Sequence, residues 1–173
     1  VGKTTALASA ISVWGKPEDL IMHERDTYNT KMNRGEVYHN LPLYMDELTN
    51  AKPQELSNLA YQLTGGRQRG RMASGSNTER HRGEAWSLLA VTTGNTSIVE
   101  RISMFKQMPK AEAQRIFECR VDKMHFETKK ETDDFSQAIE NNYGYAGKVY
   151  IQYLMDHLED AKKLLAQVQA RVD

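Results

Sequence analysis

The chain holds 173 residues, 39% of them hydrophobic, with 23 Lys and Arg balanced by 23 Asp and Glu. A net charge of zero and a mean hydropathy of −0.67 exclude attachment to nucleic acid or membrane through bulk charge, so any basic site has to be local. No apolar run of about 18 residues is present to span a bilayer, no signal peptide opens the sequence, and the lone Cys119 allows no internal disulfide and fits a reducing cytoplasm.

Residues 4–14, TTALASAISVW, set Ala6, Leu7, Ala10, Ile11 and Trp14 at helical spacing, and Gly15-Lys16-Pro17 stops that helix. A short strand is predicted around Leu20-Ile21-Met22, then a polar helix or turn over 27–38. LPLYMDELT, residues 41–49, is an apolar run that ends in two adjacent acids. A helix is predicted over 53–63, with Pro53 suited to its first turn. Residues 64–83 read as a loop rich in Gly, Ser and Arg, and Leu88 to Val91 as a buried strand with a small polar tip. Ser97 to Phe105 and Lys110 to Ile116 are predicted helical. FECRVDKMHFE, residues 117–127, alternates as a strand would, which makes Cys119 a buried, inert thiol. From Phe135 the tail is helical in two pieces, broken at Asn141-Asn142-Tyr143-Gly144. Leu154, Leu158, Ala161, Leu165, Val168 and Val172 recur there in heptad-like steps, as in a helix packed on its own domain or on a neighbour. This order of elements suggests an α/β fold with a parallel sheet, residues 1–127 forming the core and 128–173 a C-terminal helical segment.

Gly2-Lys3-Thr4 supplies the last three positions of a phosphate-binding P-loop and opens a helix. In such a loop, successive backbone N–H groups and the helix N-terminus hold phosphate oxygens, here from Gly2 to Thr5. Lys3 would set its ammonium against the β- and γ-phosphates of ATP, and the Thr4 hydroxyl would ligate Mg²⁺. The plainer alternative is an exposed lysine near a helix start. An ATPase of this type also needs acids at the end of a buried strand. Roughly forty residues after Lys3, Asp46 would hold the Mg²⁺ and Glu47 would polarise the attacking water. The polar tip Thr92-Thr93-Gly94-Asn95 occupies the place of a γ-phosphate sensor, for which Asn95 is the first choice and Thr93 the reserve.

Phosphoryl transfer builds charge that an arginine from a neighbouring subunit can neutralise. Arg115 is placed for this, with Arg101 and Arg120 as rivals. Arg67, Arg69, Arg71, Arg80 and Arg82, with His81, are the one concentration of positive charge, and share their stretch with a single acid, Glu79. They would grip nucleic-acid phosphates, or face ATP across a subunit boundary, or form a solvated loop. The five histidines are scattered, with no metal-ligand spacing among them, and no Gly-x-Ser-x-Gly hydrolase motif is present.

The ordered set GKTTALASAISVWG, TYNTKMNRGEVYHNLPLYMDELT, TGGRQRGRM, WSLLAVTTGNTSI, AQRIFECRV and NNYGYAG covers nearly the whole chain. It resembles the P-loop ATPase domain found beside or within primase–helicases of phages and mobile elements, a domain long filed as one of unknown function. The resemblance implies a P-loop NTPase core of the RecA/AAA+ type, similar to superfamily 3, with a parallel sheet flanked by helices, its first strand missing, and a helical tail. It implies an ATP- and Mg²⁺-dependent motor for DNA translocation or unwinding, working on single-stranded or forked DNA. A homo-oligomeric ring in the bacterial cytoplasm, with other replication proteins as partners, is implied too. By position Lys3 and Thr4 match the Walker A end, Asp46 and Glu47 the Walker B acids, Asn95 the sensor, and Arg115 the arginine after the sensor strand. The first P-loop glycine and its strand do not precede Val1, so the stretch reads as cut within that motif, and alone it is expected to bind nucleotide poorly. An ATPase that loads, packages or regulates DNA without unwinding, or a non-catalytic fragment for subunit contact, would use the same features.

Overall fold

A computed structural model describes residues 2–70, 72–79, 83–121 and 126–171. Three short strands, Ile21–His23 (β1), Leu43–Asp46 (β2) and Ala90–Thr92 (β3), pair in the order β1-β2-β3, and both pairings are parallel. All four residues of the middle strand β2 are buried, the continuous apolar run that a parallel strand covered on both faces requires. Side chains alternate across a strand, so β2 feeds two cores. Tyr44 packs with Leu7 and Ile11 of helix α1 (Lys3–Ser12), and its hydroxyl donates to the Ala10 carbonyl at 3.2 Å. Leu43 and Met45 join the larger core with Met22, Met32, Leu56, Leu59, Trp86 and Ile102.

That second face is covered by α3 (Tyr28–Tyr38), α4 (Pro53–Thr64) and α5 (Ile98–Ser103). Thr27 and Ser97 cap α3 and α5 by accepting from the N–H groups of Thr30 and Glu100, and Pro53 opens α4 in the first turn, as its sequence indicates. The α/β class, the helices after Lys3 and Pro53, and the strands at Met22 and Leu43–Asp46 agree with the sequence reading, whereas the strand expected buried over Leu88–Val91 runs from Ala90 to Thr92, is only half-buried, and leaves Leu89 exposed before it. Two helices are very short: α2 (Pro17–Leu20) takes Leu20 from the predicted first strand, and α6 (Lys110–Ala113) ends before Ile116.

Residues 117–121 depart from expectation. They form no strand and every one is exposed, Cys119 included, so the thiol is not the buried one the alternation suggested. Alternation gives a segment two distinct faces but not a neighbouring strand to pair with. Residues 122–125, also in that predicted strand, lie outside the described residues.

The tail forms α7 (Lys129–Asn141), α8 (Tyr145–Asp156) and α9 (Leu158–Gln169). Thr128 and Glu131 make a capping box at the start of α7. Gly144, at φ 78°, turns the chain so that its N–H reaches the Ser12 carbonyl at 2.7 Å, and the Gly147 N–H reaches Val13 at 2.8 Å. These bonds satisfy carbonyls left open at the C-terminal end of α1. Gly147 has no room for a side chain: a Cβ would sit 2.7 Å from the Val13 oxygen. The heptad steps do not form one continuous helix, because the helix breaks again at His157. No described residue of α9 is buried, and Leu158, Leu164, Leu165 and Val168 are exposed. Val172 lies outside the described residues.

One buried carboxylate docks α6 onto α4. Glu112 is fully buried and accepts from Ser57 Oγ at 2.7 Å and from Lys106 Nζ at 3.1 Å. The Ser57 hydrogen bond, helped by Lys106 and opposed by burial, holds its pKa below the ordinary value near 4.5. A carboxyl with a lowered folded-state pKa adds stability that is complete above the unfolded value and is lost as pH falls through the folded one. Glu112→Gln should therefore lower the urea midpoint at pH 7, and the gap to the wild type should close as pH falls below about 4, measured by denaturation at a series of pH values.

Candidate active site

The C-terminal ends of the three parallel strands and the start of α1 converge on one carboxylate. Gly2 caps α1 at φ 91°, a left-handed conformation that glycine enters without steric cost, and the first intrahelical bond runs from the Ala6 N–H to the Gly2 carbonyl. The N–H groups before Ala6 have no intrahelical partners, and the first turn carries no acid to compete with an anion. Thr4 Oγ1 donates to Asp46 Oδ2 at 3.0 Å. Thr93 Oγ1 donates to Asp46 Oδ1, and the Glu47 N–H donates to the same oxygen at 3.1 Å. Asp46, only 7% exposed, thus has donors from α1, from the residue just after β2 and from the tip of β3, as a buried charge requires. Lys3 Nζ donates to Asn95 Oδ1.

Glu47 leaves β2 in the left-handed region, φ 51° and ψ 33°, which costs a side-chain-bearing residue about 1–3 kcal/mol. The turn is held by Leu48–Asn50, one turn of 3₁₀ helix, in which the Asn50 N–H donates to the Glu47 carbonyl at 3.0 Å. The Leu48 N–H donates to the Thr93 carbonyl at 3.2 Å, tying this turn to the tip of β3. The Glu47 carboxylate is exposed and lines an open cleft of about 260 Å³ with His23, Glu24, Arg25, Asp46 and Asn50. Behind that cleft, the buried Lys31 of α3 donates to the carbonyls of Glu24 at 2.6 Å and Asp26 at 2.7 Å, fixing the loop after β1. Burial pushes the Lys31 pKa below its ordinary value.

The structure therefore assembles Gly2, Lys3, Thr4, Asp46, Glu47, Thr93 and Asn95, with Thr5 in the same turn of α1 as Thr4. The oxygen donors of Thr4 and Asp46, 3.0 Å apart, suit a hard divalent cation such as Mg²⁺, with phosphate and water supplying the remaining ligands. No cluster of three metal-binding side chains occurs among the described residues. Arg115 lies elsewhere: its guanidinium stacks 4.8 Å from the Tyr61 ring centre on α4 and donates to the Ala111 carbonyl at 2.5 Å. Arg101 donates to the Ala51 carbonyl at 3.1 Å, and its Nε is buried without a hydrogen-bond partner among the described residues. Arg67 and Arg69 are exposed on the segment after α4, which goes on to a single antiparallel bridge between Met72 and Glu79. Arg71, Arg80, His81 and Arg82 lie outside the described residues.

Sequence reasoning missed Thr49, Asn50, His23, Glu24 and Arg25. The last three follow or end the strand beside the acid-ended one, and β1 pairs in register so that His23 stands opposite Asp46. Thr49 is buried, and its hydroxyl accepts from the Asn95 N–H at 3.2 Å.

The family model for a domain of unknown function, DUF927, matches residues 1–83. No curated protein matches the chain. The solved structure of the SCCmec type IV Cch active helicase matches 92% of the chain with a TM-score of 0.59 at 19% sequence identity. The chain spans only 28% of that helicase chain, and the likeness is one of fold.

Gly94 lies against Thr49, and a Cβ added there would fall 2.4 Å from Thr49 Cγ2 and 2.8 Å from its hydroxyl. Thr49 is β-branched and stiff at χ1, so it does not swing aside. Gly94→Ala should destabilise the fold by about 1–3 kcal/mol, and adding Thr49→Ala should recover part of the loss, as read from a double-mutant cycle of urea unfolding.

Proposed function

We propose that the chain is the ATP-hydrolysing motor domain of a phage- or mobile-element-type DNA helicase or primase–helicase, with a P-loop NTPase core of the RecA/AAA+ kind. The observation that carries this reading is the convergence of Lys3, Thr4, Asp46, Glu47, Thr93 and Asn95 at the C-terminal edge of a parallel sheet, beside an uncapped helix N-terminus. The fold likeness to the SCCmec active helicase supports it, as does the ordered set of motifs.

On this reading the backbone of Gly2 to Thr5 and the Lys3 ammonium hold the nucleotide phosphates, and Lys3 neutralises charge that grows in the transition state. Thr4 and Asp46 hold Mg²⁺, which would supply charge stabilisation on the phosphates. Glu47 accepts the proton of the attacking water, which the open cleft admits. Asn95, bonded to Lys3, orients against the γ-phosphate, and Thr93 holds the Asp46 carboxylate for its part. Arg115, remote from these groups, serves a neighbouring subunit's nucleotide in a homo-oligomeric ring. Arg67, Arg69, Arg71, Arg80 and Arg82 track the phosphates of single-stranded or forked DNA. The setting is the bacterial cytoplasm, alongside other replication proteins.

A second reading, a fragment that mediates subunit contact, draws on the exposed apolar residues of α8 and α9. Turnover separates the two. In the intact protein, Lys3→Ala and Glu47→Gln should each cut single-strand-stimulated ATP hydrolysis by at least about a hundredfold, and an unchanged rate would sink the motor reading. Arg67→Ala and Arg69→Ala should each reduce the salt slope of single-strand binding by about one unit, read from affinities between low and moderate salt.

A further inference from the structure

The 3₁₀ turn after β2 holds Glu47 by two bonds from one residue. Asn50 donates its backbone N–H to the Glu47 carbonyl at 3.0 Å and its Nδ2 to Glu47 Oε2 at 3.3 Å. The first bond stabilises the left-handed backbone that turns Glu47 out of the strand, and the second fixes its carboxylate in the cleft. Without the side-chain bond, an exposed glutamate would sample several rotamers over its free torsions. A general base must lie within hydrogen-bond reach of one water, so a side chain spread over rotamers spends little time in the productive position.

We propose that Asn50 is a positioning residue that orients the Glu47 carboxylate for water activation. The inference rests on the reading of Glu47 as the base of an ATPase. Its own support is the double engagement of Glu47 by Asn50, together with the way the same turn is anchored. Thr49 accepts the Asn95 N–H, and Leu48 donates to the Thr93 carbonyl, so the turn that carries Asn50 is fixed to the tip of β3. Asn50 is therefore mounted on a rigid base, whereas Glu47 is exposed apart from this bond and its backbone contacts. The donor cannot be an anion. An aspartate at position 50 would offer oxygen to oxygen, repel the carboxylate and turn it away from the held rotamer.

The test measures steady-state ATP hydrolysis, ATP affinity and thermal unfolding in the intact protein for Asn50→Ala, Asn50→Asp and Glu47→Gln. Asn50 is exposed, so both of its variants should unfold within a few degrees of the wild type. The expected result is a fall in kcat of about ten- to a hundredfold for both Asn50 variants, Asp at least as severe as Ala, with ATP affinity unchanged. Adding Asn50→Ala to Glu47→Gln should lower turnover no further, because a positioning residue has nothing left to position. Loss of turnover in Glu47→Gln with an unchanged kcat in both Asn50 variants would overturn this inference and leave the motor reading standing. Undiminished turnover in Glu47→Gln would overturn the reading beneath it. A fall in ATP affinity with kcat unchanged would make Asn50 part of nucleotide binding, and would also overturn the inference.

Discussion

The buried Asp46 carboxylate is the constraint around which the site is arranged. A charge taken out of water needs donors, and here they come from three directions: the Thr4 hydroxyl of α1, the Thr93 hydroxyl beyond β3, and the Glu47 N–H. Each donor fixes one part of the surroundings. Thr4 sets how close the start of α1 comes to the sheet. Thr93 sets the height of the loop that carries Asn95. The Glu47 N–H requires the chain to turn immediately after Asp46, and the left-handed backbone at Glu47 is the local strain that accompanies this turn. Loss of Asp46 would therefore loosen three elements at once rather than remove one ligand.

Away from the sheet edge, two further buried charges play a comparable architectural part. Lys31 holds the loop after β1 through two carbonyls, and so shapes one wall of the cleft that Glu47 faces. Glu112 holds α6 against α4 through Ser57 and Lys106. In both cases the apolar core alone would leave a loop or a four-residue helix poorly anchored, since such short elements bury little area. A fully satisfied buried polar group adds what the area does not, namely a single geometry. The alternation of β2 supplies the rest: Tyr44 anchors α1 on one face, while Leu43 and Met45 anchor α3, α4 and α5 on the other.

What the sequence disclosed follows from this division. A buried parallel strand announces itself as a continuous apolar run, so Leu43–Asp46 was legible, the half-buried Ala90–Thr92 was legible only in position, and Pro53 marked the start of α4. Lys3, Thr4, Asp46, Glu47, Thr93 and Asn95 stood out as polar residues at strand and helix ends, and the structure brings them together at one edge of the sheet. The contacts of Thr49 and Asn50 did not stand out, because they depend on a left-handed turn at Glu47 that no local pattern signals. Arg25 and His23 were missed because strand register, not spacing, brings them beside Asp46. Residues 117–121 misled for the opposite reason: alternation was present, but a strand also needs a neighbour to pair with. The heptad spacing of the tail likewise ran across His157, where the helix is interrupted.

The position of Arg115 bears on how the proposed reaction would be organised. Within the chain Arg115, two residues past the α6 that Glu112 pins to α4, has its guanidinium on Tyr61 and the Ala111 carbonyl rather than on the groups around Asp46. The surfaces also differ in charge. The cleft carries Arg25 and His23 beside Glu24, Asp46 and Glu47, whereas Lys110, Arg115 and the Glu112-paired Lys106 are exposed around α6 together with Phe105, Met108 and Phe117. In the proposed homo-oligomer, two unlike faces of one chain would meet head to tail, and such a contact closes into a ring or continues as a filament according to its rotation. If Arg115 acts on the phosphates of a second copy, the rigid docking of α6 is a requirement of that contact, because an arginine just past a loose four-residue helix would lose in ordering entropy much of what its charge contributes.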